Sequence, residues 1–191
     1  IYEDKNMKQL YTTSSYINGD HVTIVENALN EKVKTDNVTA SFMIGIYKNK
    51  VVFAYNQNRG IEIPGGHVEK GETVESAAVR EMTEETGCIV ESPIHIVRIT
   101  HECYFEKPER YKYPFPTSYM EFFVADVIGI DEYVENDECK APIFIEFDKR
   151  NNSFCPILTD EQIPLWDTFC EKNNYVLWIL QQALEYKENN K

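Results

Sequence analysis

With 191 residues, 42% of them hydrophobic and 13% aromatic, the chain can bury a real core, which excludes a disordered or fibrous class. A net charge of −13 argues against duplex nucleic acid as a partner, because a basic surface supplies most of that affinity. The five cysteines are widely spaced without a C-x-x-C pair and read as reduced thiols of a cytoplasmic protein; the longest wholly apolar run, Val176 to Leu180, is too short for a membrane span.

Along the chain, residues 1–6 read as a trimmed or added end before Met7, a natural start. Short β-like pieces at Lys8–Tyr11 and His21–Val25 suit an edge strand or hairpin. Thr39–Tyr47 and Val51–Tyr55 are β-rich runs around Lys48-Asn49-Lys50, a hairpin pattern, and Ile61–Ile63 is a short strand entering Pro64-Gly65-Gly66. A glycine loop follows, then a helix from Thr73 to Thr86 that Gly87 can end, since glycine adopts φ > 0 without cost. Ile94–Tyr104 reads as a strand, Phe105–Pro116 as a loop, Ser118–Ile128 as the next strand, and Asp131 to Glu138 as an acidic loop. Pro142–Phe147 is a final strand, followed by helical patterns at Asp160–Glu171 and Tyr175–Lys187. In the second of these, Val176, Leu180, Ala183 and Leu184 form one apolar stripe; Pro164 is tolerable in the first only near its start. The order suits an α/β (α+β) class, a mixed β-sheet sandwiched between helices, as one domain over 1–191 with helices of 159–191 packed on it.

The helix after the glycine loop carries the most specific signal. At 100° per residue Val74, Ala78 and Met82 make one apolar stripe with Ala77 beside it. Glu81 and Glu85 share a side, flanked by Glu84, so three carboxylates crowd the last turn and a half. Like charges at i, i+3 and i+4 repel by about a few tenths of a kcal/mol per pair, and the helix C-terminus adds its own negative partial charge. A hard divalent cation such as Mg²⁺ or Mn²⁺ reverses the sign of both penalties, so the cluster reads as a metal site.

From Gly66 the chain runs five residues to Glu72 and seven more to Arg80-Glu81-Met82-Thr83-Glu84-Glu85-Thr86-Gly87-Cys88. This resembles the complete Nudix box: G, five residues, E, seven residues, then R-E-U-x-E-E-x-G-U with U apolar; Met82 and Cys88 are less usual choices for U. The resemblance implies the Nudix α/β/α sandwich and a divalent-metal-dependent pyrophosphohydrolase. It implies that Glu81, Glu84, Glu85 and the carbonyl of Gly65 hold the metal, that Arg80 orients the glutamates, and that Glu72 is chiefly structural. The reaction implied is hydrolysis of a nucleoside diphosphate linked to a group X, with water attacking one phosphorus. Many members use a further carboxylate as base or ligand; Glu121, Asp131, Glu132, Glu135 and Glu138 are candidates, with Glu138 favoured.

Outside the box, Tyr113–Met120 contains P-F-P-x-S, similar to the end of the SQPWPFPxS signature of NADH-type Nudix pyrophosphatases, but without its Ser-Gln-Pro-Trp half. Tyr111, Tyr113, Phe115 and Tyr119 could stack on a base, and Lys107, Arg110 and Lys112 are the nearest basic residues for phosphate. Gly66 and His67 in the glycine loop complete the expected substrate contacts. Residues 58–70 and 138–144 resemble MutT-like members, which favours a nucleoside triphosphate, oxidised or not. The alternatives are a dinucleotide or nucleotide-sugar of NADH or ADP-ribose type, and a nucleotide sensor without turnover. The partner expected is a small nucleotide; a homodimer is left open.

Overall fold

The computed structural model describes residues 9–14, 17–131, 138–148, 151, 153–172 and 175–190. The N-terminal β-like pieces form an edge hairpin, β1 (Gln9–Thr12) against β2 (His21–Asn27). β3 (Val38–Tyr47) and β4 (Lys50–Asn56) join through Lys48-Asn49, where Lys48 adopts φ 60. Their ladder covers only Ile46↔Val51 and Tyr47↔Lys50. Beyond it β3 pairs with β6 (Gly65–His67), and β4 pairs with β5 (Gly60–Glu62). This divergence brings the glycine loop back to the middle of the sheet.

The helix α1 (Val74–Thr86) leads into β7 (Cys88–Cys103), β8 (Thr117–Ile130), β9 (Cys139–Asp148) and β10 (Ser153–Cys155). Two helices follow, α2 (Ile163–Lys172) and α3 (Val176–Asn189). The strands make one sheet in the order β1-β2-β7-β8-β3-β4-β9-β10, with β5 and β6 attached to β4 and β3. The pairing of β3 with β8 is parallel; the other described pairings are antiparallel.

Central strands are buried on both faces, so successive residues serve opposite cores. Ile44, Phe122 and Val124 face a core that Trp166 and Phe169 of α2 and Val176, Ile179 and Leu180 of α3 complete. Their neighbours Met43, Phe123 and Ala125 face the other core, filled by Val74, Ala78 and Met82 of α1. The sheet thus lies between α1 on one face and α2 with α3 on the other, the mixed-sheet sandwich expected.

Several elements differ from the sequence reading. β7 begins at Cys88, directly after the helix, because Cys88–Glu91 already pair with β8 across bulges and a left-handed Ser92 (φ 50). α2 starts at Ile163, which puts Pro164 in its first turn, where a missing N–H costs nothing. The short β10 shows no alternation to read, but its Phe154 packs on Phe53, Phe147 and Trp166.

Candidate active site

The helix that carries the carboxylates is fixed at both ends. The Thr73 hydroxyl accepts from the Ser76 N–H and the Ser76 hydroxyl accepts from the Thr73 N–H, each at 3.0 Å, a capping box closed by Ser. At the other end Gly87 takes φ 69 and donates its N–H to the Thr83 carbonyl at 2.8 Å. Val74, Ala77, Ala78 and Met82 are buried against the sheet, which turns the glutamates toward Gly65 and Gly66. Both glycines are needed for close approach. A Cβ on Gly66 would fall on the Glu81 carboxylate, and one on Gly65 would strike the Phe42 ring and the Ser41 carbonyl.

Arg80 ties the loop to the helix. Its Nε donates to Glu72 at 2.8 Å, its Nη1 to Glu81 at 2.8 Å and Glu84 at 3.0 Å, and its Nη2 to the His67 carbonyl at 3.2 Å. The bond to Glu72 does most to hold the guanidinium charged. Glu85 points the other way, accepting the Gly65 N–H at 3.0 Å, with Arg59 Nη2 at 4.0 Å from its second oxygen. Only 8% of Glu85 is exposed. Burial pushes its carboxyl up to about 7, and the charges of Glu81 and Glu62 add to this, while the Gly65 N–H and Arg59 oppose it.

Among the described residues no three His, Cys, Asp or Glu side chains converge as a ready-made ligand set. Glu81 and Glu84 each give an oxygen to one nitrogen of Arg80, while Glu85 turns away to the Gly65 N–H. The donor chemistry nevertheless fits a hard divalent cation. Glu81, Glu84 and Glu85 are oxygen donors beside a cradle that a Cβ would fill, and burial makes the charge on Glu85 costly without a cation.

These groups open onto a cavity of about 1050 Å³ between the sheet face and the C-terminal helices. Its wall includes Gly65, Gly66, His67, Glu81, Glu84, Glu85, Tyr113 and Glu138, so those expected site residues come together in one place. Arg80 lies outside the wall and meets it through Glu81, Glu84 and the His67 carbonyl. Tyr113 stacks on His67 with centroids 5.6 Å apart and rings within 6° of parallel. Glu138 accepts from Arg59 Nη1 and from Asn56 Nδ2, both at 3.2 Å.

The other expected residues lie elsewhere. Arg110, Lys107 and Lys112 are exposed and outside the cavity wall, because the loop turns their side chains to solvent. Phe115 also lies outside it and packs edge-on to Phe105 and Tyr111. Tyr119 points to the opposite sheet face from Ser118 and Met120, with Lys34 Nζ 5.3 Å from its ring. Glu121 is on that face too, fully buried, bonded to His95 Nε2 at 2.7 Å, Arg98 Nε at 3.0 Å and the Lys34 N–H at 2.9 Å. It fastens the segment before β3 and does not meet the cavity. Asp131 is exposed away from the wall, and Glu132 and Glu135 lie outside the described residues.

Sequence reasoning missed Arg59, His101 and the contributions of Leu165, Thr168 and Tyr175, all in the cavity wall. Arg59 has no distinguishing signal in the sequence, where Lys70 and Arg80 are cations within the box itself. The rest depend on long-range packing and leave no local signal.

The NUDIX domain family model matches residues 39–150, more than half of the chain. A Bacillus subtilis (strain 168) protein named "Putative 8-oxo-dGTP diphosphatase YtkD" is 26% identical over 145 residues, 74% of this chain and 85% of that one. An ADP-ribose pyrophosphatase of Methanocaldococcus jannaschii is 36% identical over 109 residues, 54% of this chain and 57% of its own. Among solved structures, a point mutant of the Bacillus subtilis pyrophosphohydrolase BsRppH superimposes with a TM-score of 0.55 at 23% identity, covering 86% of this chain and 98% of that one, which shows a shared fold. With the box residues gathered at one cavity and the family model spanning them, the chain belongs to the Nudix family and is a Nudix hydrolase.

Proposed function

We propose that this protein is a divalent-metal-dependent pyrophosphohydrolase that cleaves a nucleoside diphosphate linked to a further group, with a nucleoside triphosphate, oxidised or not, as substrate. The observation that carries this reading is the charge of the cavity wall. Among the described residues it holds six carboxylates (Glu62, Glu69, Glu81, Glu84, Glu85 and Glu138) and Arg59 as its only Lys or Arg. A polyphosphate cannot enter such a wall unless cations of higher charge accompany it. Glu81, Glu84, Glu85 and the Gly65 carbonyl would hold Mg²⁺ or Mn²⁺, which supplies charge neutralisation at the phosphates and a more acidic water.

The chain's own groups then have separable tasks. Arg59 lies between Glu85 and Glu138 and can pass from these acids to a phosphate oxygen. Glu138, brought beside Glu85 through Arg59, is placed to take a proton from the attacking water. Arg80 holds Glu81 and Glu84 while Glu72 holds Arg80, a positioning chain that keeps the carboxylates from splaying.

The relative named for 8-oxo-dGTP supports the triphosphate over most of both chains. The relative named for ADP-ribose is more identical over a shorter stretch, and the cavity volume leaves room for a second sugar. The test is product analysis with Mg²⁺ or Mn²⁺: nucleoside monophosphate with pyrophosphate, or diphosphate with phosphate, from nucleoside triphosphates, AMP with ribose 5-phosphate from ADP-ribose, and AMP with the reduced nicotinamide mononucleotide from NADH. Turnover of triphosphates that chelation abolishes is expected. Turnover of ADP-ribose alone would replace the triphosphate with the second substrate class, and turnover unaffected by chelation would sink the metal reading.

A further inference from the structure

The far end of the same cavity carries two polar side chains that the chemistry at the box does not use. His101 of β7 and Ser118 of β8 are direct cross-strand partners, and both line the cavity. They are 3% and 4% exposed, so each is more than nine-tenths buried. Ile99 and Met120, the cross-strand pair two residues along, line the cavity too, as do Ile17 and Ala40. Tyr111 and Tyr113 are also in the wall.

The proton positions follow from the hydrogen bonds. Thr23 is fully buried, and its hydroxyl meets His101 Nδ1 at 2.9 Å, its one side-chain partner among the described residues. A buried hydroxyl hydrogen is costly to leave without an acceptor, so Thr23 donates to Nδ1. That places the imidazole hydrogen on Nε2. Burial chiefly, with His21 adding, lowers the His101 pKa to about 4, so the ring is neutral at pH 7. Nε2–H is therefore a donor with no protein acceptor among the described residues, and the Ser118 hydroxyl beside it is likewise unpaired there.

The distance to the box suits one ligand spanning both. His67, Ala40, Met120 and Ile99 are successive partners across β6, β3, β8 and β7, three strand spacings or about 14 Å, and the pair lies two residues further along. An extended nucleoside polyphosphate with its phosphates at Glu81 and Gly66 would put its base at this end. We propose that His101, with Ser118, is the specificity-determining pair for the base, donating a hydrogen bond to a carbonyl oxygen of an oxo-base and leaving an amino-base without that bond. This rests on the reading of the substrate as a nucleotide.

Inosine and adenosine nucleotides differ at the 6-position, carbonyl against amino, and make the test direct. In the parent protein kcat/KM for ITP should exceed that for ATP by about 10- to 100-fold, the cost of a buried donor facing the wrong group. His101→Phe keeps the ring area and removes the donor, so its ratio should fall to within about threefold of unity. Ser118→Ala should lower the ratio partway, and His101→Gln, which keeps an N–H donor, should retain a preference for ITP. A merely structural His101 would lower melting temperature and leave the ratio unchanged. If no triphosphate is turned over, the triphosphate reading fails, while IDP and ADP dissociation constants measured with Mg²⁺ still test the pair. A parent ratio near unity, an unchanged ratio in His101→Phe and Ser118→Ala, or equal affinity for the two diphosphates would each overturn the assignment.

Discussion

Glu85 shows how one buried side chain can couple stability to pH. Its carboxyl sits at about 7 in the folded protein against an ordinary 4.5, with burial as the main cause. Below the ordinary value both folded and unfolded chains hold the proton, and Glu85 contributes its full stability. As pH rises from 4.5 toward 7 the unfolded chain loses its proton first, so that stability is progressively lost. In the absence of metal, the urea midpoint should therefore fall between about pH 5 and 8, and Glu85→Gln should flatten that slope. If the cluster holds metal as proposed, saturating Mg²⁺ should raise the parent's midpoint most at the alkaline end, because a ligand of the folded state alone stabilises it. Parallel slopes in parent and variant would remove Glu85 as the source. The two glycines opposite make a contrasting pair. A methyl on Gly66 meets the far end of the flexible Glu81 side chain, whereas one on Gly65 meets the Ser41 backbone carbonyl. Gly66→Ala should thus cost activity out of proportion to stability, and Gly65→Ala should lower the melting temperature by more. Equal melting losses in both would contradict this reading of the cradle.

At the scale of elements, the helix and the loop after β7 divide the work differently. α1 carries its carboxylates at the end where its own dipole disfavours them, with no basic residue in its last turn. Glu84→Gln should leave the metal-free protein as stable or more stable while cutting turnover by orders of magnitude; unchanged turnover would remove Glu84 from the site. The loop between β7 and β8 has a packed half and a cavity half. Phe115 is wedged against Phe105 and Tyr111, while Tyr113 is 44% exposed over His67 in the cavity wall. Tyr113→Ala should raise KM or reorder substrates with kcat changed less, and Phe115→Ala should lower stability with substrate ranking unchanged. A stacked base on Tyr113 would be worth about 1–3 kcal/mol. These two aromatics look alike in the sequence, both next to a proline, and only tertiary placement separates them. The helix was legible from Thr73 to Gly87 because its caps, stripe and carboxylates are all local signals. Glu121 was not, since an acid on an alternating strand reads the same whether it enters a cavity or a buried bond with His95 and Arg98. Arg59 is known as a site residue only once β4, β5 and β9 bring it between Glu85 and Glu138.

Over the whole molecule, the C-terminal helices belong to the core and the cavity alike. The family model ends at residue 150, yet Trp166, Phe169, Ile179 and Leu180 share one core with Phe53 and Ile145 from the central strands. Phe53 meets Trp166 and Phe169 edge-on with centroids 5.5 and 5.4 Å away, and those two rings stack on each other at 5.4 Å. Phe169 also lines the cavity, whereas Trp166 does not. This shared aromatic cluster gives a paired prediction. Trp166→Ala and Phe169→Ala should each destabilise the protein by about 3–5 kcal/mol, because both leave a void against Phe53 that rigid strands cannot fill. Their effects on catalysis should part. Phe169→Leu, a milder change that keeps the core apolar, should still alter KM through the cavity wall, while Trp166→Phe should alter melting temperature alone. If truncation of either ring left stability within about 0.5 kcal/mol of the parent, α2 would be an appendage on the sheet. If Phe169→Leu and Trp166→Phe changed KM equally, the helix would act on the cavity through stability and not as part of its wall. Chemical denaturation beside steady-state kinetics on the four variants distinguishes these outcomes, since one reads the core and the other the cavity.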